Sequence, residues 1–183
     1  VLEQSYMPTM INMNAFDTIC HEHLEYYTLK QIVWMMERND LRVFDVEFND
    51  INGGSFKLSV CHKNAKYPDG TEKVTKILND EKKQGFDSEK PYKDFNERIS
   101  KIREVLKNFL YEEKKKGKTI HLYGASTKGN VLLQFCGIDY RLISFAADKN
   151  HLKNGHWTPA SHILIFSEEF SRACKPDYYL VLP

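Results

Sequence analysis

Residues 17–27, DTICHEHLEYY, place two histidines on either side of one glutamate, with two tyrosines close behind. Histidine changes charge near neutral pH, so an imidazole beside a carboxylate is suited to act as a general base. A single metal ion shared by both histidines is a weaker explanation, because residues i and i+2 diverge on a helix and in an extended chain. We expect one histidine to face a cleft and the other to be structural, with Tyr26 and Tyr27 orienting a substrate or closing the site. A buried aromatic cluster is the structural alternative.

A second polar segment, YGASTKGN at 123–130, lies between a predicted strand and a predicted helix. Backbone N–H groups and the helix dipole favour an anion at such a turn. Ser126, Thr127 and Lys128 add hydrogen-bond donors and a positive charge. The glycine spacing matches neither a Walker A loop, nor G-x-G-x-x-G, nor a G-x-S-x-G elbow. Phosphate or nucleotide binding and a tight turn without a ligand are equally compatible with this segment.

A third candidate is the acid in AADKN, residues 146–150, at the end of the next predicted strand. Asp148 could accept hydrogen bonds from ribose or other hydroxyl groups, as acidic residues do in dinucleotide-binding folds. A cap on a helix or turn explains the same residue equally well.

Composition excludes several classes of protein. The 183 residues are 42% hydrophobic and carry a net charge of +1, which indicates a globular chain and argues against a nucleic-acid binder. No stretch approaches the roughly 20 apolar residues that span a bilayer. The cysteines, Cys20, Cys61, Cys136 and Cys174, form no C-x-x-C pair, so we expect reduced thiols in a cytoplasmic protein.

Hydrophobic periodicity predicts the elements of the first half of the chain. Apolar residues at helical spacing predict a helix over 29–40, with Thr28 as its N-cap. Residues 41–50 and 55–62 alternate as strands, and the glycines of 51–54 predict a tight turn that joins them as a hairpin. The alternation assigns one apolar face to Phe44, Val46 and Phe48.

The second half begins with a polar loop over 63–73 and a charged stretch over 72–90, where any helix is mostly exposed. A long amphipathic helix follows over 92–116, ended by Gly117. We place the main boundary near residue 90. After it, strands alternate with helices, including one helix over 131–137 and another capped by Ser167. This alternation predicts a parallel sheet with helices on its faces.

Together these segments resemble the C-terminal half of the S-adenosylmethionine-dependent sugar C-methyltransferases. The likeness runs in order through FDTICHEHLEYYTLKQIVWM, VFDVEFNDINGGSFKLSV, HLYGASTKGNVLLQFCGID, AADKN, TPASHILIFSEEF and PDYYLVLP. It implies an α/β fold in which residues 91–183 form a Rossmann-like C-terminal domain that holds a nucleotide-linked sugar. Residues 1–90 are then a linker together with the helix and antiparallel hairpin from the end of a methyltransferase domain.

The resemblance also implies an activity, methylation of a carbon α to the ketone of a nucleoside-diphosphate 4-keto-deoxysugar. His23 is the implied base that removes the α proton, and Glu22 supports it. The implied contacts to sugar or diphosphate are Asn52, Ser126, Lys128 and Asn130. In some relatives a tyrosine stands where this chain has Cys20, so a hydroxyl that could contact the substrate is missing.

The glycine-rich loop that binds S-adenosylmethionine in such enzymes, and their cysteine-rich zinc region, do not occur in this sequence. We therefore expect a fragment of a longer protein, inactive alone, with S-adenosylmethionine bound mainly by a missing N-terminal part and zinc in that same part. We expect no membrane partner. A non-catalytic nucleotide- or nucleotide-sugar-binding α/β module is the alternative function. A dehydrogenase-type domain is disfavoured by the lack of G-x-G-x-x-G.

Overall fold

A computed structural model describes residues 1–182, apart from the side chain of Asn52, which lies outside the described part of the chain. The chain forms two compact units. The first consists of residues 1–15 and 23–98, and the second of residues 16–22 and 99 onward. The DTICHEHLEYY segment is therefore divided, with His21 and Glu22 in the second unit and His23 in the first. The assignment of functional domains to 1–90 and 91–183 stays a prediction.

An antiparallel sheet forms the centre of the first unit. Its strands are β1 Leu2–Ser5, β2 Leu41–Asn49 and β3 Ser55–His62, in the order β1-β3-β2. The predicted hairpin is confirmed: β2 pairs with β3, and the turn between them is a short 3-10 helix, Ile51–Gly53. Strand β1 was not predicted, because its residues pair with residues of β3 that lie fifty or more positions away in sequence.

The predicted apolar face of β2 is wrong. A β-bulge lies between Val43 and Asp45, so that Phe44 is an extra residue and the alternation of faces shifts there. Val43 and Val46 are both buried, whereas 51% of Phe48 is exposed. Phe44 instead stacks on the ring of Tyr67 with 4.9 Å between the centroids.

Three helices complete the first unit together with the start of a fourth: α1 Met7–Asn12, α2 Leu29–Glu37, α3 Thr71–Lys83 and residues 90–98 of α4 Lys90–Lys115. The N-cap predicted for α2 is confirmed, since Thr28 and Gln31 form a capping box. Helix α3 is mostly exposed, as predicted, but it buries Val74 and Glu81. The core of this unit includes Leu29, Ile32, Phe56 and Leu58.

A four-stranded parallel sheet forms the centre of the second unit, as predicted. Its strands are β4 Ile120–Tyr123, β5 Phe145–Ala147, β6 Ile165–Phe166 and β7 Tyr178–Val181, in the order β6-β5-β4-β7. The helices are residues 99–115 of α4, α5 Thr127–Cys136 and α6 Glu168–Ala173, with short 3-10 helices at Phe16–Thr18 and His151–Lys153. Its aliphatic core includes Leu110, Leu122, Leu133 and Ile143.

Helix α5 begins four residues earlier than the sequence predicts. Its N-cap is Ser126, whose Oγ accepts a hydrogen bond from the N–H of Gly129 at 2.9 Å. Gly129 lowers the helix propensity of this stretch, but a Cβ atom at this position would lie only 2.6 Å from Leu182 Cδ1. Lys128 and Asn130 therefore lie in the first turn of the helix and not in a loop. Within residues 1–182, none of the helices has both the length and the apolar composition needed to cross a membrane.

Candidate functional site

His23 lines a cleft of about 570 Å³ that belongs entirely to the first unit, and its side chain is exposed. We call this space the His23 cleft. Its other walls come from β1, from the segment that follows His23, and from the region between β2 and β3: Glu3, Gln4, Ser5, Glu25, Tyr26, Ile51 and Ser55. The imidazole is therefore open to a small molecule, which a general base requires.

The two tyrosines behind His23 hold its loop in place. The hydroxyl of Tyr26 donates a hydrogen bond to the backbone carbonyl of His23 at 3.1 Å, which closes a local turn. The hydroxyl of Tyr27 donates to the carboxylate of Glu25, and this bond raises the pKa of Tyr27. Tyr26 lines the cleft, while Tyr27 supports the loop. Contact of either residue with a substrate stays a prediction.

Glu22 and His21 lie in the second unit. The carboxylate Oε1 of Glu22 is 3.9 Å from Nε2 of His21, and both side chains are largely exposed. The support that Glu22 is expected to give to His23 stays a prediction. His21 lines a cavity of the second unit and His23 lines a cleft of the first, so the two histidines of the segment face different spaces.

The second unit contains a cavity of about 680 Å³ beside α5, which we call the α5 pocket. Most of its wall is apolar: Phe16, Ile19, Ile99, Val131, Phe135 and Pro159. Its polar wall residues are Cys20, His21, Thr127, Asn130 and Gln134. Phe16 and Phe135 contact each other with 4.9 Å between ring centroids, which fixes the 3-10 helix at 16–18 against α5. An apolar space with a few polar groups is typical of a small-molecule site.

Asn130 carries an unsatisfied polar atom in the wall of this pocket. Its Oδ1 is buried and accepts no hydrogen bond from any group in the described part of the chain. An unpaired buried acceptor costs about 1–3 kcal/mol, so proteins rarely leave one without a reason. A ligand with an N–H or O–H donor would satisfy this oxygen.

Asp148 braces the turn between β4 and α5. Its Oδ2 accepts hydrogen bonds from the N–H of Ala125 at 2.9 Å and from Nζ of Lys153 at 2.8 Å, and its Oδ1 accepts from the N–H of Asn150 at 2.9 Å. Burial acts to raise the pKa of Asp148, but these bonds outweigh it and lower the pKa. At the turn itself, Gly124 has a φ of +97°, a conformation that favours glycine. The geometry fits the turn-cap explanation of Asp148, and contact with a ribose stays a prediction.

Comparison with known proteins agrees with the resemblance. Residues 50–183 match the family described as C-methyltransferase C-terminal domain. The chain belongs to this family. C-methyltransferase NovU of Streptomyces niveus is 35% identical over 181 residues, which cover 99% of this chain and 43% of NovU. The chain therefore spans less than half the length of the curated relative that it matches.

In this member of the family, the predicted site residues line separate spaces, and His23 and Tyr26 precede the matched residues 50–183. His23 and Tyr26 share the His23 cleft, and Asn130 lies in the wall of the α5 pocket. Ser126 caps α5, and Lys128 is half-buried in its first turn. The prediction for Asn52 concerns a side chain outside the described part of the structure.

The sequence contained a signal for further pocket residues. Thr127, Asn130 and Gln134 follow the i, i+3, i+7 spacing that places side chains on one face of a helix, and all three line the α5 pocket. The sequence alone did not indicate this polar stripe, because the predicted helix began at residue 131 and the observed helix begins at Thr127. Phe16 had no comparable signal, because it reaches α5 from more than a hundred residues away.

Proposed function

We propose that the intact protein methylates a carbon α to the ketone of a nucleoside-diphosphate 4-keto-deoxysugar, with S-adenosylmethionine as methyl donor. The observation that carries the proposal is the exposed imidazole of His23 on a cleft of about 570 Å³. NovU is named as a C-methyltransferase, which supports the type of reaction. The class of sugar rests on the resemblance of the motifs. Free thiols at all four cysteines agree with a reducing compartment, so we propose a cytoplasmic protein.

His23 is the base of this reaction. The neutral imidazole accepts the proton from the carbon next to the ketone, and the electron pair of that C–H bond forms an enolate. Positioned acid–base groups of this kind contribute about 10²–10⁴-fold to rate. The methyl donor, when bound, supplies the methyl group as part of a sulfonium cation.

The charge of the His23 cleft favours a keto sugar without its diphosphate. Glu3 and Glu25 line the same cleft as His23, and carboxylates repel phosphate groups. We propose separately that the α5 pocket of the second unit takes a nucleotide group. There Thr127 and Asn130 belong to the first turn of α5, where a helix N-terminus suits an anion, and the apolar wall residues suit a base or sugar ring. Lys128 lies in the same turn, outside the lining of the pocket, and its contact with a diphosphate stays a proposal. The unpaired Oδ1 of Asn130 would accept a hydrogen bond from that ring system.

The first unit does not fit S-adenosylmethionine by itself. Its sheet is antiparallel, and its described residues contain no parallel strand followed by a glycine-rich turn and a helix, the arrangement that binds adenosine groups in Rossmann folds. We propose that the methyl donor is held mainly by a part of the protein outside this chain. Zinc in an N-terminal region is proposed on the same resemblance.

A second candidate is a non-catalytic nucleotide- or nucleotide-sugar-binding module. The observation in its favour is that the α5 pocket lies wholly in the second unit, to which His23 does not belong.

His23→Ala in the full-length protein distinguishes the two functions. We expect methyl transfer, and exchange of the substrate α proton with deuterated water, to fall about 10²–10⁴-fold. We expect the Kd for the nucleotide sugar, from calorimetry, to stay within about twofold, since an interaction confined to the transition state leaves ground-state binding intact. His62→Ala, an exposed histidine at the end of β3, is the matched control. Equal losses of binding and turnover in His23→Ala would indicate a packing role for His23. If the unmutated protein binds the nucleotide sugar but transfers no methyl group, the module is favoured.

A further inference from the structure

Glu81 is a buried carboxylate of α3 that the proposed reaction does not use. Only 3% of the residue is exposed. Its Oε1 accepts hydrogen bonds from the hydroxyl of Tyr6 at 2.8 Å and from the N–H of Leu29 at 2.6 Å. Its Oε2 accepts from the N–H of Lys30 at 3.2 Å. These three donors are one phenol and the first two amides of α2, so the carboxylate is held by the N-terminus of a helix.

These bonds connect Glu81 to two of the walls of the His23 cleft. Tyr6 directly follows β1, whose residues 3–5 line one wall. Leu29 begins α2 directly after the segment 23–28, which carries His23 and lines the other wall. One buried carboxylate therefore bonds to a residue next to each of these two walls.

Backbone contacts carry this anchoring on toward His23. The N–H of Met7 donates a hydrogen bond to the carbonyl of Tyr27 at 3.0 Å, so that the chain beside Tyr6 holds the loop. The hydroxyl of Tyr26 donates to the carbonyl of His23 at 3.1 Å. His23 itself is exposed, so packing around its own side chain contributes little to its position.

We infer that Glu81 is a positioning residue, which fixes the loop that carries His23 against β1 by accepting hydrogen bonds from Tyr6 and the start of α2. The inference rests on the proposed function of His23 as the base. Glutamine cannot replace this carboxylate without loss, because one of its two terminal atoms is an NH2 group. That NH2 group is a donor, and it would lie against another donor, either the amide of Lys30 or the amide of Leu29 and the hydroxyl of Tyr6. The negative charge that complements the dipole of α2 would also be lost.

The expected effect is on turnover and not on nucleotide binding. A displacement of a catalytic group by about 1 Å can cost about 10²-fold in rate. Glu81 does not line the α5 pocket, to which we assign the nucleotide. In the full-length protein, we expect Glu81→Gln to lower kcat at least about tenfold per folded molecule, with KM for the nucleotide sugar within about twofold. Tyr6→Phe removes only one of the three donors to Glu81, so its kcat should fall less than that of Glu81→Gln.

Two further variants complete the test. Glu72→Gln, an exposed glutamate in the first turn of the same helix, is the matched control and should keep wild-type kcat. Glu81→Asp restores the charge and should recover part of the lost turnover. Hydrogen exchange, followed by mass spectrometry on peptides covering 23–30, should show faster exchange in Glu81→Gln than in Glu72→Gln.

The outcomes separate this inference from the proposed function. Wild-type kcat in Glu81→Gln, or a loss explained by the amount of folded protein alone, would overturn the positioning role. If Glu81→Gln does not fold, an unchanged kcat in Tyr6→Phe would overturn it as well. If the wild-type protein neither exchanges the α proton nor transfers methyl groups, the proposed function has failed. The exchange rates of residues 23–30 then still decide whether Glu81 anchors the loop, and unchanged rates would exclude it.

Discussion

The Nδ1 atom of His121 lies 2.8 Å from the Oγ of Ser171, and both side chains are buried in the second unit. The imidazole also packs edge-on against Phe145, with 5.3 Å between ring centroids. Ser171 Oγ lies in turn 3.2 Å from the hydroxyl of Tyr179. Burial lowers the pKa of His121 from its ordinary value of 6.5. This histidine of β4 is therefore a structural group that links β4, α6 and β7.

The stability of the second unit should fall as the pH drops below about 6.5, because of His121. In that range the unfolded chain binds a proton that the folded unit does not, so the unfolded state is favoured. The slope for one proton is at most about 1.4 kcal/mol per pH unit, and it ends once the pH falls below the lowered pKa of the folded state. Urea denaturation between pH 5 and pH 8 measures it. In a Trp34→Phe background, the fluorescence of Trp157 reports on the second unit alone.

His121→Asn is the control for this slope. Asparagine keeps a polar atom near the position of Nδ1 but does not titrate, so the curve of unfolding free energy against pH should be flatter between pH 5 and pH 6.5. An identical slope in wild type and variant would mean that other groups cause the dependence.

Asp148→Ala should destabilise the second unit by about 1–3 kcal/mol, because it leaves the amides of Ala125 and Asn150 without their acceptor. The ion pair with Lys153 adds little, since 37% of that lysine side chain is exposed and solvent screens the charge. The same fluorescence-monitored denaturation measures the loss, with the exposed Glu104→Ala on α4 as control. The lowered pKa of Asp148 gives the sign of the pH effect. Its contribution to the free energy of unfolding is fully present above the ordinary carboxyl pKa, and it is lost as the pH falls through the lowered pKa of the folded state.

Calorimetry on the same Asp148 variant distinguishes the brace from a ribose contact. If Asp148 only braces the turn, nucleotide-sugar affinity at a temperature where the variant is folded should stay near the wild-type value. A loss of about tenfold or more would indicate direct contact with the ligand.

Elements that depend on local signals could be predicted from the sequence. Thr28 and Ser167 cap the helices that were assigned to them, and Gly117, which follows the last turn of α4, has a φ of +77°. The parallel sheet followed from the alternation of strands and helices. In each case the determining residues lie within a few positions of one another, so the pattern and its physical cause occur in the same window of sequence.

Features that depend on distant contacts could not be predicted. The bulge at Phe44 changes which side chains of β2 are buried without changing the residue pattern. The separation of His21 from His23 into two units depends on the packing of 16–22 against α5. Glu81 lies in the apolar stripe of α3, four residues after Ile77. The sequence does not show that a carboxylate at this position accepts hydrogen bonds from Tyr6 and from the first amides of α2.

The 183-residue chain should bind S-adenosylmethionine weakly or not at all, since its sequence has no G-x-G-x-x-G loop and the described residues of its first unit contain no parallel strand that leads into a glycine-rich turn and a helix. Isothermal titration measures this directly. A nucleoside-diphosphate sugar in a parallel titration is the positive control if the α5 pocket is the nucleotide site. A micromolar Kd for S-adenosylmethionine would contradict the prediction.

Asn130→Leu should change stability and binding in opposite directions. The buried Oδ1 has no partner in the described part of the chain, so an apolar side chain of similar shape removes a desolvation cost and should stabilise the second unit by about 1 kcal/mol. The same change leaves a ligand donor unpaired, so the Kd for the nucleotide sugar should rise about tenfold. Gln134→Leu, about one helical turn further along the pocket wall but exposed, should not stabilise the unit in this way. Lower stability in Asn130→Leu would show that the amide is satisfied within the protein, and the case for a ligand at this oxygen would then be lost.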